Sequence, residues 1–332
     1  MRVNKNIKII VNYFLGPLVF LFLFYFTYRQ LISQENWIQC LQQIGHAFTS
    51  RDQWKIWTMV ALMPVNWGLE ARKWQLVNKG LQSMSWLHAF KSVLAGVTIA
   101  SFTPNRMGEY VGRVFFIEEG KRIQSVPLSI ICSIAQLLVT LVIGVWGLFY
   151  FQEFLQHGAI SGNSQAAFSL QALALAVCIL LIMGLLIYFR IHWLVRLIQK
   201  ANLFGRYFTY VKVLKDVRSN ILLRILYLSL LRYLIFVIQY GLLFSVFGVE
   251  MSWLQLLGGM SLVFLILAVV PSLSFLTDLG LRWVACMQII KVFSTNTAGI
   301  FATSFGIWLI NLIIPALLGS LLILSTKIFS VK

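Results

Sequence analysis

The sequence predicts an all-α integral membrane protein of about six full spans plus two re-entrant or broken helical hairpins related as an inverted repeat. Three observations carry that prediction. First, 59% of the 332 residues are hydrophobic and 11% are charged, with a mean hydropathy of +0.83; soluble domains are about 45–50% apolar and about 25% charged. Second, continuous Leu, Ile, Val and Phe runs reach the ~20 residues that cross a ~30 Å hydrocarbon core, without the ~10-residue alternation of an outer-membrane barrel. Third, two proline-containing breaks with the same residue grammar lie about half a chain apart. Hydrocarbon leaves backbone polar groups no outside partner, so such runs must be helical. The runs fill the whole length, so residues 1–332 read as a single transmembrane domain.

The chain opens on a basic stretch, Met1 to Lys8, followed by an apolar run to about Tyr28. No small-residue cleavage site follows, so an uncleaved first span is expected. Residues 34–50 are too polar to cross and read as an interfacial stretch. Further spans are expected at about 54–72, 126–150, 168–189, 223–247 and 297–325. The last is overlong and holds Asn311 and Pro315, which predict a kink or tilt.

Orientation follows from the basic residues. The loop from about 190 to 224 carries Arg190, Arg196, Lys200, Arg206, Lys212, Lys215, Arg218 and Arg224 against Asp216, whereas 152–165 and 248–252 hold no Lys or Arg. With Lys5, Lys8, Lys327 and Lys332 also inside, six spans place both termini in the cytoplasm. The segment 91–117 must then enter and leave on the cytoplasmic side. Its apolar pieces, 92–100 and 110–117, are too short to cross singly. The segment 253–293 begins and ends outside, either re-entrant or as two full spans. The cationic loop suits anionic lipid electrostatically, although topology alone also requires it.

The two breaks carry the candidate chemistry. One reads Thr103-Pro104-Asn105-Arg106-Met107-Gly108-Glu109-Tyr110-Val111-Gly112-Arg113; the other runs Pro271-Ser272-Leu273-Ser274-Phe275-Leu276-Thr277-Asp278-Leu279-Gly280-Leu281-Arg282. Each has a proline and then an acid four positions before an arginine, with a glycine between. Glu109–Arg113 and Asp278–Arg282 are thus i,i+4 helix pairs with the acid N-terminal, the favourable order. On one reading they are self-neutralised structural pairs. On the other, Arg106, Arg113 and Arg282 exceed Glu109 and Asp278 by one charge and receive an anionic headgroup, aided by free N–H groups of a helix starting after Pro104. Proton or ion coupling is a third possibility. The Gly108/Gly112 spacing reads as close helix packing. Trp67, Trp74, Trp86, Trp193 and Trp253 read as interface anchors, and the cluster Glu70-Ala71-Arg72-Lys73 as a snorkelling cytoplasmic edge.

Other chemistries find little support. Cys40, Cys132, Cys178 and Cys286 have no metal or disulfide spacing, and His46, His88, His157 and His192 are isolated. No catalytic residue, metal ligand, cofactor or nucleic-acid partner is expected. Membrane lipids, anionic ones foremost, are the expected partners, with a homo-oligomer or a lipid-modifying enzyme as further candidates. Lipid translocation is the leading function. The alternatives are a membrane-embedded transferase with Glu109 or Asp278 as base, and a non-catalytic assembly subunit.

The run Thr103 to Arg113 resembles the signature of the lysylphosphatidylglycerol synthase transmembrane family, roughly Pro-Gly-Arg-x-Gly-Glu followed by an arginine. Asn66-Trp67-Gly68-Leu69-Glu70-Ala71-Arg72-Lys73-Trp74 is similar to that family's first cytoplasmic edge. The resemblance implies a flippase-like domain in a prokaryotic cytoplasmic (inner) membrane, with Pro104, Arg106, Gly108, Glu109 and Arg113 forming the first hairpin's site. No stretch here resembles the soluble aminoacyl-transferase domain of the full-length synthases, so lipid aminoacylation by this chain alone is not expected. The family's second break is glycine-rich and followed by Glu, where this chain has Ser272, Ser274, Thr277 and Asp278. An acid–arginine pair in the family's following span is replaced here by Ala135 and Gln136.

Overall fold

The computed structural model describes residues 52–157, 164–200, 208–270 and 275–325, together with Tyr25 and Gly45. Among these every regular element is a helix. The expected first span, most of the interfacial stretch 34–50, Cys40 and the second break from Pro271 to Ser274 lie outside the described residues.

The principal helices are α1 (Gln53–Asn78), α2 (Trp86–Ala100), α3 (Gly108–Val114), α4 (Arg122–His157), α5 (Ser164–Phe189), α6 (Ile191–Lys200), α7 (Ser219–Val246), α8 (Trp253–Val269), α9 (Phe275–Ile290), α10 (Thr297–Trp308) and α11 (Ile314–Ser325). Four stretches are long and apolar enough to cross a membrane: Glu119–Phe154, Gln171–Phe189, Ser219–Val246 and Thr297–Ile323. They coincide with four of the expected spans. The stretch expected at 54–72 forms the 26-residue α1 but is not among them, because Asn66, Glu70, Arg72 and Lys73 interrupt its apolar run.

The apolar surface is arranged as a bilayer would require. Leu173, Leu175, Ile179, Ile182, Met183 and Leu186 of α5 all face outward, and in water so large an exposed patch would drive association. The central helices are buried instead. α1 packs along α7 and α2, α4 lies against α8, α5 and α7, and α9 against α10 and α8.

α2 and α3 form a closed hairpin. Ser85 caps the start of α2 by accepting from the His88 N–H. The Ser92 hydroxyl donates to the Arg113 carbonyl at 2.9 Å, and the His88 ring nitrogen meets the Phe116 carbonyl at 2.8 Å. Two helices so close need residues without side chains at the seam. A Cβ on Gly112 would stand 2.5 Å from the Ala95 carbonyl oxygen, and one on Gly108 2.5 Å from that of Ile99. The Gly108/Gly112 spacing is therefore a packing device, as its pattern predicts. α8 and α9 pair across the second break, with Ile290 and Phe293 closing over Gly259.

Where Asn311 and Pro315 predict a kink or tilt, the helix has a π turn over Leu309–Ile313, between α10 and α11. Pro315 has no N–H to give the Asn311 carbonyl, and a widened turn absorbs that lost bond.

Candidate functional site

The tip of the first hairpin is strained. Pro104–Arg106 forms a 3-10 turn, and both Asn105 and Arg106 lie in the left-handed region, at φ 51° and 57°. Asparagine tolerates that region, whereas arginine does so at a cost of order 1–3 kcal/mol. The turn swings Asn105 and Arg106 into the wall of an open cavity of about 410 Å³. The expected anion site at the start of α3 is corrected by the same turn. α3 has only 7 residues, and the Gly108 N–H is already taken by the Thr103 hydroxyl at 2.6 Å.

Four further helices close the cavity. Glu70 and Lys73 come from α1, Gln136 and Thr140 from α4, Arg232, Tyr233 and Phe236 from α7, and Leu267 and Ala268 from the end of α8. Arg282 of α9 completes it. The first break thus meets the cavity directly through Asn105 and Arg106, and the helices on either side of the second, α8 and α9, contribute Leu267, Ala268 and Arg282.

Its polar centre is Glu70, which is 3% exposed. One carboxylate oxygen accepts from Arg113 Nη2 at 2.8 Å; the other meets Lys73 Nζ at 2.7 Å and Arg232 Nη1 at 2.6 Å. Arg113 also pairs with Glu109, one turn before it on α3, and Ser129 is a further acceptor at 3.3 Å. Arg232 donates through Nε to Asn66 Oδ1 at 2.7 Å, and Lys73 donates to Ser229 at 3.0 Å. Aromatic faces support two of the guanidinium groups: Arg232 lies 4.7 Å from the Trp67 ring centre and Arg113 5.6 Å from that of Trp74.

Two readings of α1 are corrected here. Glu70 and Lys73 are not a snorkelling edge, because Lys73 is 0% exposed and both point inward. Trp67 and Trp74 are buried beneath arginines rather than placed as interface anchors, whereas Trp86, Trp193 and Trp253 are exposed. Asn66, Glu70 and Lys73 recur at helical spacing on one face, which puts all three toward the same interior.

The second pair is simpler. Arg282 Nη2 meets Asp278 Oδ2 at 3.1 Å, and Nη1 donates to the Tyr240 hydroxyl at 3.2 Å. Gly280, between them, faces open space.

Of the residues expected at the site, Arg106, Glu109 and Arg282 line the cavity, while Arg113 and Asp278 stand behind it as counter-charges. Pro104 starts the first turn; Pro271 lies outside the described residues. The sequence reading missed Arg232 and misplaced Glu70 and Lys73. Arg232 had an available signal, since a lone cation within an apolar span is a functional candidate by default. With these included, five cations (Lys73, Arg106, Arg113, Arg232, Arg282) face three carboxylates (Glu70, Glu109, Asp278), so the surplus is two positive charges. Among the described residues Arg106 has no ion pair, and its Nε is buried without a hydrogen-bond partner, as is the Nε of Arg282.

Among the described residues no group of three or more His, Cys, Asp or Glu side chains gathers as a metal site. Cys132, Cys178 and Cys286 are free thiols. Comparison with family models, curated proteins and solved structures found no match to this chain.

Proposed function

We propose that this chain moves an anionic lipid, or a lipid-linked headgroup, between the leaflets of a membrane. The observation that carries the reading is the two-charge cationic surplus around a cavity lined by the first break and by the two helices that flank the second. Cations are costly to bury among apolar helices unless something compensates them. A headgroup phosphate supplies that compensation, while its acyl chains stay in lipid. In this reading the chain has six full spans, two hairpins entering from opposite faces as an inverted repeat, and its basic loop in the cytoplasm. Such repeats place a substrate site at the meeting point of discontinuous helices and open it alternately to either side. The resemblance of Thr103–Arg113 to the lysylphosphatidylglycerol synthase transmembrane family points the same way.

The test is reconstitution in liposomes carrying leaflet-labelled anionic lipids, with exchange followed over time. Wild-type protein is expected to exceed empty liposomes, and Arg106→Gln to lose about tenfold or more of that rate, since the unpaired cation is the one free to meet phosphate. Equal exchange in protein-containing and empty liposomes across the panel would remove the proposal.

A further inference from the structure

The charge surplus selects among anionic headgroups. We infer that the cavity takes a terminal phosphate, a phosphomonoester carrying about two negative charges, rather than a phosphodiester. This rests on the translocation reading above and narrows its substrate class.

Two independent features lead there. The first is neutrality. A cavity among apolar helices is most stable when occupancy leaves little net charge, and this one with its counter-ions carries a formal surplus of two positive charges. A phosphodiester such as phosphatidylglycerol brings one negative charge and leaves one cation over. A zwitterionic headgroup brings no net charge, and a phosphodiester esterified with a lysyl group is net positive and is repelled. A terminal phosphate closes the balance.

The second feature is the count of acceptors against donors. A terminal phosphate offers three strong acceptor oxygens, whereas a diester has lost one of these to its second ester link. The cavity wall presents guanidinium groups from three separate elements: Arg106 from the first break, Arg232 from α7 and Arg282 from α9. Arg106 has no ion pair among the described residues, and Arg282 shares its charge with Asp278 alone. Arg232 is already tied to Glu70 and Asn66 and so fixes the far wall. Donors converging from several sides match an oxygen tripod better than the two free oxygens of a diester.

The experiment uses purified full-length protein in detergent, titrated with short-chain lipids while its unfolding midpoint is followed; a ligand bound by the folded state raises it. The probes are dioctanoyl phosphatidic acid, dioctanoyl phosphatidylglycerol, dioctanoyl phosphatidylcholine and inorganic phosphate, at about pH 8, where a terminal phosphate is doubly ionised. The monoester lipid is expected to saturate at about tenfold lower concentration than the diester, with phosphatidylcholine giving no shift. Free phosphate is expected to act only at far higher concentration. Repeating the titration at about pH 5, where the monoester carries one charge, should bring the two anionic lipids together. In Arg106→Gln the surplus falls to one, so the gap should close to about threefold or less.

Diester binding as tight as monoester binding in the wild type overturns the inference, and this comparison needs no variant. So does free phosphate matching the lipid monoester, which would mark a site for a soluble anion. A gap unchanged in both Arg106→Gln and Arg282→Gln would place the selectivity elsewhere. Discrimination without leaflet exchange would leave the headgroup class standing and remove translocation; exchange without discrimination would do the reverse.

Discussion

Glu109–Arg113 on α3 and Asp278–Arg282 on α9 share the same local design, yet the protein uses them differently. The first pair is absorbed into a network spanning three helices, in which Arg113 reaches Glu70 and Glu70 in turn holds Lys73 and Arg232. In the second pair Arg282 also donates to the Tyr240 hydroxyl, and it stands at the cavity with its side chain 14% exposed. The glycines differ in the same sense. Gly108 and Gly112 are pressed against α2, whereas nothing lies within 4 Å of a Cβ placed on Gly280. An i,i+4 acid–arginine spacing thus specifies a pair but not its role. Distant helices decide whether the pair is an anchor or stands at the cavity.

The largest effect that would break this contrast is at Glu70. Glu70→Ala leaves Lys73, Arg113 and Arg232 crowded together and short of a counter-charge, and should destabilise the protein by about 3–5 kcal/mol. The measurement is the unfolding midpoint in detergent. A loss below about 1 kcal/mol would mean that the network is solvated and that the first pair is no more an anchor than the second. Next comes the seam. Gly112→Ala puts a methyl against the Ala95 carbonyl, with an expected cost of about 1–3 kcal/mol. A neutral result would show that the hairpin separates easily.

What the sequence disclosed, and what it hid, follows the same division between local and distant. Hydropathy reported the helical membrane class and four of the spans, because it reads continuous runs within one segment. The spacing of Gly108 and Gly112 reported a tight seam, because close approach of backbones needs glycine whatever the partner. An irregular turn before Pro315 was equally legible, since the missing N–H is a property of the residue itself. Glu70 and Lys73 misled because a charge at the edge of a membrane and a charge turned into a bundle interrupt an apolar run identically. Only the neighbours, Arg113 and Arg232 at separations of 43 and 162 residues, distinguish the two. Trp67 and Trp74 misled for the matching reason: a tryptophan near a run's end serves an interface or an arginine equally well.

The smaller predictions sharpen the second region. Asp278→Asn removes a charge but leaves Arg282 its Tyr240 bond and its access to the cavity, so the loss should be about 1–2 kcal/mol, well below that at Glu70. A double-mutant cycle gives the sharper comparison. Glu70 and Arg232 share one contact network and should couple by about 0.5–3 kcal/mol, whereas Glu70 and Asp278 share no ion pair and should add within about 0.5 kcal/mol. Strong coupling between them would join the two pairs into one structural network and end the distinction.

The smallest effect has the opposite sign. Gly280 lies within α9 with open space around it, so it answers no packing demand of the kind that fixes Gly112. An alanine there restricts the unfolded chain and suits the helix, and Gly280→Ala should stabilise by about 0.5–1 kcal/mol. If stability rises while leaflet exchange slows, the glycine serves motion of α9 beside the cavity rather than packing. The two breaks would then divide their labour, one hairpin locked by its glycines and the other loosened by its own.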